Sequence, residues 1–150
     1  MTTLNPNLTF LATSTDSFSA LAPSRAARWT GRILSTLIAL LLGLDALMKL
    51  LQVAPVLAAS AELGYSAHAV FGIGLVLALC VVLYVIPRTS LLGAVLLTGY
   101  LGGAIATHVR AGHPIWTHTL FPIYVAVVIW GGLALRDRRA RGILKACFGR

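Results

Sequence analysis

Acidic residues and cysteines are scarce in this chain. Only 11% of its 150 residues are charged, and four Asp or Glu stand against twelve Lys or Arg. Soluble domains carry about 25% charged residues, so the composition argues against a protein that is solvated on all sides. Cys80 and Cys147 form no CxxC pair, which leaves the chain without a thiol redox motif of its own.

Long apolar runs take the place of the missing charges. Apolar residues make up 58% of the chain, and its mean hydropathy is +0.88. Four runs of roughly 20 residues are each long enough for a helix to cross a hydrocarbon core of about 30 Å, and a helix satisfies its own backbone polar groups there. The sequence therefore predicts an all-α fold, a transmembrane antiparallel four-helix bundle, with spans at about 29–51, 67–86, 89–109 and 116–135.

The placement of the basic residues predicts the orientation of these spans. Ten of the twelve flank the span ends that would share one side with both termini, and only Lys49 and Arg110 lie on the other side. Because cytoplasmic loops are enriched in Lys and Arg, we expect both termini in the cytoplasm. The same placement favours the lipid bilayer as a partner and disfavours nucleic acid, since the charges flank apolar runs.

Composition also divides the chain into regions. Residues 1–28 are expected to form a disordered cytoplasmic tail, because nine of the first 24 residues are Ser or Thr and no apolar period is sustained. Residues 29–138 form the predicted four-span membrane domain, and residues 139–150 a basic cytoplasmic tail. In the first connection, Pro55 and Gly64 are typical of the start and the end of a short helix.

Asp45 is the residue that most needs an explanation. A lone carboxylate at this depth of a span costs about 2.5–3.5 kcal/mol. Lys49 follows one turn later, in the order that favours an ion pair. Two interpretations stay open. Either Lys49 neutralises Asp45 and reaches the headgroups, or Asp45 faces a polar cavity between the helices.

Further polar groups are expected at the same level of the membrane. Tyr100, Thr107 and Arg110 share one face of the third span, His108 borders that face, and His118 opens the fourth span. We therefore predict a small outward-facing polar pocket, in which Arg110 would clamp an anion or a carbonyl because its planar fork makes paired hydrogen bonds. The predicted ligand-binding residues are Asp45, Lys49, Tyr100, Thr107, His108, Arg110 and His118.

Neither a metal site nor a haem site is predicted, and no cofactor is assigned. His108, His113 and His118 are five residues apart, a spacing that does not place ligands on one helix face. The chain also lacks a nucleophile–base pair, a phosphate loop and a dinucleotide fingerprint. The sequence therefore does not predict an autonomous enzyme.

Gly99 and Gly103 form a GxxxG pair in the third span. Small residues at this spacing let helix backbones approach closely in lipid. Packing within one chain is the first interpretation of the pair, and a homodimer is the second.

Five segments together resemble the DoxX-like family of small four-helix membrane proteins. They are GLDALMKL at 43–50, ELGYSAH at 62–68, IPRTSLLGA at 86–94, LGAVLLTGYLGGAIATHVR at 92–110 and HTLFPIYVAVVIWGG at 118–132. The resemblance covers about residues 32–138, and the seven pocket residues match the family's polar positions. It implies a multi-pass protein of the bacterial inner membrane, and some members of the broader family belong to quinone-linked and thiol-related redox assemblies.

Two hypotheses for the function follow. The first is an accessory or anchoring subunit of a redox-linked membrane assembly, which presents its pocket to a redox partner or a quinone-like ligand. The alternative is a small proton-responsive transporter or a carrier of a lipophilic ligand, which could act as a homodimer. Four short helices enclose little volume, and the cytoplasmic halves of the spans hold few polar groups, so the first hypothesis is preferred.

Overall fold

The computed structural model of the chain describes residues 24–112, 114 and 120–148. Within these residues the fold is all-α, with six helices and no strand. The helices are α1 (Arg25–Leu50), α2 (Ala54–Glu62), α3 (Ala67–Val85), α4 (Ser90–Arg110), α5 (Phe121–Arg136) and α6 (Arg138–Phe148). The first span was predicted from residue 29, and the helix that contains it begins at Arg25. Of the span predicted at 116–135, the structure describes residues 120–135.

Local sequence accounts for the helix boundaries. The hydroxyl oxygens of Ser24 and Ser66 accept hydrogen bonds from the first turns of α1 and α3, at 3.1 and 3.3 Å, so each caps otherwise unpaired N–H groups. Pro55 lies in the first turn of α2, and Gly64 follows that helix with φ of 83°. The short helix predicted in the first connection is therefore confirmed.

Four helices lie side by side in cyclic order. α1 packs against α3 and α5, and α4 packs against the same two helices from the opposite side. Neighbours run antiparallel: the late α1 residue Lys49 lies beside Gly74, early in α3, and the early α1 residue Ser35 meets Tyr84, late in α3. The core between the four helices includes Leu77, Leu97 and Ile129, none of which is exposed.

Glycines set the closest approaches between these helices. A Cβ on Gly31 would come within 2.6 Å of Leu135, and one on Gly74 within 2.8 Å of Lys49. Gly93 faces the backbone of Tyr84 across the tight α3–α4 turn. By contrast, a Cβ on Gly99 would meet nothing within 4 Å, and the same holds for Gly103. The GxxxG pair therefore makes no close helix contact among the described residues.

Length and composition make three of the helices able to cross a membrane. These are α1, α3 and α4, whereas the apolar α5 has 16 residues. The last helix, α6, differs from them all, because its sequence RRARGILKACF combines basic with apolar residues. It lies where the sequence predicts a basic tail.

Candidate functional site

A cavity of about 640 Å³ lies between the helices α1 to α5, at the end of the molecule that carries Lys49. We call this the Lys49 end, and the opposite end, at Arg136, the Arg136 end. Most of the cavity wall is apolar, with side chains such as Leu42, Met48 and Val125. Its polar and charged lining residues are Asp45, Lys49, Ser60, Tyr65, Tyr100, Thr107 and His108.

Asp45 and Lys49 form an ion pair on the α1 wall of the cavity. Lys49 Nζ donates to Asp45 Oδ1 across one helical turn. The Lys49 side chain is 17% exposed and that of Asp45 is 42% exposed. One part of each interpretation is therefore observed: Lys49 partners Asp45, and the pair borders a cavity.

The α4 wall adds neutral polar groups at the same end. Tyr100, Thr107 and His108 line the cavity together with Gly103. The Thr107 hydroxyl donates to the Gly103 carbonyl oxygen at 3.0 Å, so it is left to accept from the Tyr65 hydroxyl, which lies 2.7 Å away. Hydrogen-bonding groups therefore face the ion pair across the cavity.

The short helix α2 forms part of the wall of this cavity. Pro55, Val56, Ala59, Ser60 and Leu63 all contribute to the wall, although no residue of α2 is itself buried. Hydrogen bonds hold the segments on either side of this helix. On the N-terminal side, Gln52 Nε2 donates to the Ala67 carbonyl oxygen at 3.0 Å. On the C-terminal side, the Tyr65 hydroxyl bonds to Thr107.

Arg110 lies outside the cavity wall, in contrast to its predicted role. Its Nη2 donates to the Leu63 carbonyl oxygen at 2.7 Å, which satisfies a carbonyl at the end of α2. The reason is geometric. Arg110 is the last residue of α4, so its long side chain reaches the α2–α3 connection before it reaches the cavity.

A sealed apolar layer separates the cavity from the Arg136 end. One helical turn below the lining residues Ile73, Leu101 and Val125 lie Leu77, Leu97 and Ile129, and all three are fully buried. Tyr84 lies beyond them, with its hydroxyl within 3.0 Å of Ser35 Oγ and 3.1 Å of the Ile129 carbonyl oxygen. Among the described residues, this apolar layer forms the floor of the cavity.

Five of the seven predicted residues border this one cavity: Asp45, Lys49, Tyr100, Thr107 and His108. His118, the seventh, lies outside the described residues. Tyr65 and the α2 residues also line the cavity, but they were not predicted to do so. Nothing in the sequence places Tyr65 near Thr107, and a short apolar helix in a connection does not indicate what it packs against.

The chemistry available here is hydrogen bonding and charge pairing beside an apolar wall. The arrangement suits a molecule that has a polar head and an apolar body. Among the described residues, no group of three or more His, Cys, Asp or Glu side chains could hold a metal ion.

The described residues are all helical or in short connections, and three of the helices are long and apolar enough to span a bilayer, which is typical of membrane proteins. The model of the DoxX-like family matches residues 33–132, two thirds of the sequence. The chain therefore belongs to the DoxX-like family. No curated protein and no solved structure matches it.

Proposed function

We propose that the chain is a multi-pass protein of the bacterial inner membrane, built as a transmembrane antiparallel four-helix bundle with both termini in the cytoplasm. Its family membership and the three long apolar helices support a membrane location. The packing of α5 between α1 and α4 supports it as the fourth span. The basic residues that cluster at the Arg136 end support a cytoplasmic position for that end.

The cavity at the Lys49 end is proposed to bind an amphiphilic ligand of quinone-like size and polarity. One observation carries this proposal: an Asp–Lys pair borders an otherwise largely apolar cavity of about 640 Å³. Small-molecule sites have volumes of about 300–1,000 Å³ and combine apolar walls with a few polar groups. The ligand's carbonyl or hydroxyl head would meet Lys49 and Tyr100, and its apolar body would lie against Met48 and Phe121.

Ligand presentation of this kind suits an accessory or anchoring subunit of a redox-linked membrane assembly. The described lining residues offer hydrogen-bonding and charged groups for a ligand, and electron transfer would belong to a redox partner that shares this ligand. A lipophilic-ligand carrier is the alternative, and the exposed small residues Gly99 and Gly102 on α4 offer a face for a homodimer in that case. The sealed layer at Leu97 and Ile129 favours binding over transport by a single chain.

Extraction of the protein with its native lipids tests the ligand proposal. The full chain is purified in polymer-bounded native discs, and mass spectrometry quantifies isoprenoid quinones and lipids per protein. Asp45→Asn is expected to lower the retained ligand about tenfold or more, because the change leaves Lys49 as an unpaired charge in the pocket. Glu62→Gln is the matched control, since this exposed carboxylate lies at the same end but outside the cavity wall.

Equal retention in both variants would overturn the ligand proposal. The assembly proposal has its own readout, because crosslinking in the native membrane would have to capture a redox partner. If the discs contain only this chain, with ligand bound, the carrier alternative replaces the accessory role.

A further inference from the structure

The last helix, α6, has two chemically different faces. At 100° per residue, Arg138 and Arg141 fall on one side of the helix, whereas Ala140, Ile143 and Cys147 fall on the other. Gly142, at the boundary of the basic side, adds no bulk there. This division is typical of a helix that lies along the surface of a bilayer.

α6 is fixed to the rest of the molecule. The Asp137 carboxylate accepts from the backbone N–H of Arg139 at 2.8 Å and so caps the start of α6. Arg141 Nε and Nη2 donate to the Ala134 carbonyl oxygen, at 3.1 and 2.8 Å. Ala140 is fully buried against the other helices. These contacts hold α6 at the end of α5.

The same contacts leave part of each face of α6 outward. Arg138 is exposed on the basic side, and Arg139 is exposed at the border between the two sides, one turn before Ile143. On the apolar side, Ile143 is 43% exposed, and Cys147 is exposed as well. An exposed apolar flank beside arginines is unfavourable for a helix surrounded by water, whereas it is typical of a helix at a membrane surface.

Charge at this end of the molecule is strongly one-sided. Arg25, Arg28, Arg32 and Arg88 belong to the same Arg136 end as α6. Asp137 is the one carboxylate at this end among the described residues, and it is occupied as the cap of α6. This end is therefore complementary in charge to a polyanionic surface.

We propose that α6 lies in the cytoplasmic membrane interface and binds the headgroups of anionic phospholipids. Arg138 and Arg139 contact the lipid phosphates, while Ile143 and Cys147 enter the boundary of the acyl chains. The proposal rests on the membrane placement proposed above. Since a basic residue close to an anionic leaflet contributes about 1 kcal/mol, each arginine shifts the ratio of docked to undocked helix about fivefold.

Cys147 provides a direct probe of this docking. An environment-sensitive fluorophore is attached to Cys147 in a full-length chain that carries Cys80→Ser, and the protein is reconstituted in phosphatidylcholine nanodiscs with or without phosphatidylglycerol. With the anionic lipid we expect a blue-shifted emission and protection from an aqueous quencher. High salt is expected to weaken both effects, because it screens the headgroup charges.

A pair of double variants identifies the residues responsible. Arg138→Gln with Arg139→Gln is expected to lower the docked-to-undocked ratio roughly thirtyfold. Arg25→Gln with Arg28→Gln removes the same charge from the same end but leaves α6 intact, so its ratio is expected to remain close to that of the parent chain.

Three outcomes would overturn the proposal. The first is equal emission in the two lipid mixtures, the second is an equal effect of the two double variants, and the third is protection that requires added RNA instead of anionic lipid. Resistance of the protein to carbonate extraction is measured separately. Loss of that resistance contradicts the membrane placement itself, whereas lipid-independent emission in a properly inserted chain contradicts only the role of α6.

Discussion

Individual glycines decide how closely the long helices approach each other. At Gly93 a side chain would have to occupy the space of the Tyr84 backbone, and backbone atoms cannot move aside as a flexible side chain can. The approach fixes the tight turn between α3 and α4. It also positions Tyr84, which lies beneath the floor of the cavity and contacts both α1 and α5 through its hydroxyl.

Gly93→Ala is therefore expected to destabilise the protein by about 1–3 kcal/mol, the usual range for overpacking. Gly131→Ala is the matched control, because a Cβ at Gly131 in α5 would meet nothing within 4 Å. The midpoint of thermal unfolding in a mild detergent, followed by tryptophan fluorescence, measures the difference. A Gly93→Ala midpoint equal to that of the control would contradict the close approach.

At the residue scale the sequence predicted what lies on one helix better than what lies between helices. The pairing of Asp45 with Lys49 was one of the two interpretations of the sequence, because helical spacing alone brings these residues together. Arg110 was expected in the pocket, yet it bonds to the Leu63 carbonyl oxygen. That contact joins residues 47 positions apart, and no local pattern encodes such a separation. The Tyr65–Thr107 bond was missed for the same reason.

At the scale of elements, α2 is a part of the cavity wall that we expect to open most readily. It packs weakly, since none of its residues is buried. Its position depends on hydrogen bonds at its ends, which are made by Gln52, Tyr65 and Arg110. An element that is held by end contacts rather than by a buried face opens at low cost.

Removal of two of these end contacts is expected to expose the cavity. Tyr65→Phe combined with Arg110→Gln should raise the labelling rate of Ala59→Cys by a water-soluble maleimide at least fivefold, because each lost hydrogen bond contributes about 1 kcal/mol or more. Glu62→Gln in a chain that carries only Ala59→Cys serves as the control, since it removes a charge from α2 without removing an end contact. An unchanged rate in the double variant would mean that α2 is held by other contacts.

The existence of α2 followed from Pro55 and Gly64, but its place in the cavity wall did not. Proline and glycine mark boundaries locally, whereas that place depends on how α2 lies against α1 and α3. In the GxxxG pair, by contrast, a local motif is present without the close contact within the chain that it suggests. The motif indicated close packing, but the close packing within the chain occurs at Gly31, Gly74 and Gly93 instead, because these glycines face neighbouring helices and Gly99 does not.

For the molecule as a whole, orientation in the membrane is the main prediction. Arg88→Cys and Glu62→Cys place single cysteines at opposite ends of the chain, in a background with Cys80→Ser and Cys147→Ser. In intact cells an impermeant maleimide is expected to label the cysteine at position 62 and to leave the one at position 88 unlabelled until the membrane is opened. The reverse pattern would contradict the charge rule on which the orientation rests.

The placement of both members of the ion pair on α1 has a consequence for the biogenesis of the protein. Asp45 and Lys49 can neutralise each other as soon as this first helix forms, because their bond joins residues four positions apart. The nascent helix can then leave the translocation machinery without waiting for α4 or α5 to be synthesised. A carboxylate whose partner lay on a later helix would face the lipid alone during that interval, at a cost of about 2.5–3.5 kcal/mol. Insertion of the first span is therefore expected not to depend on the later helices.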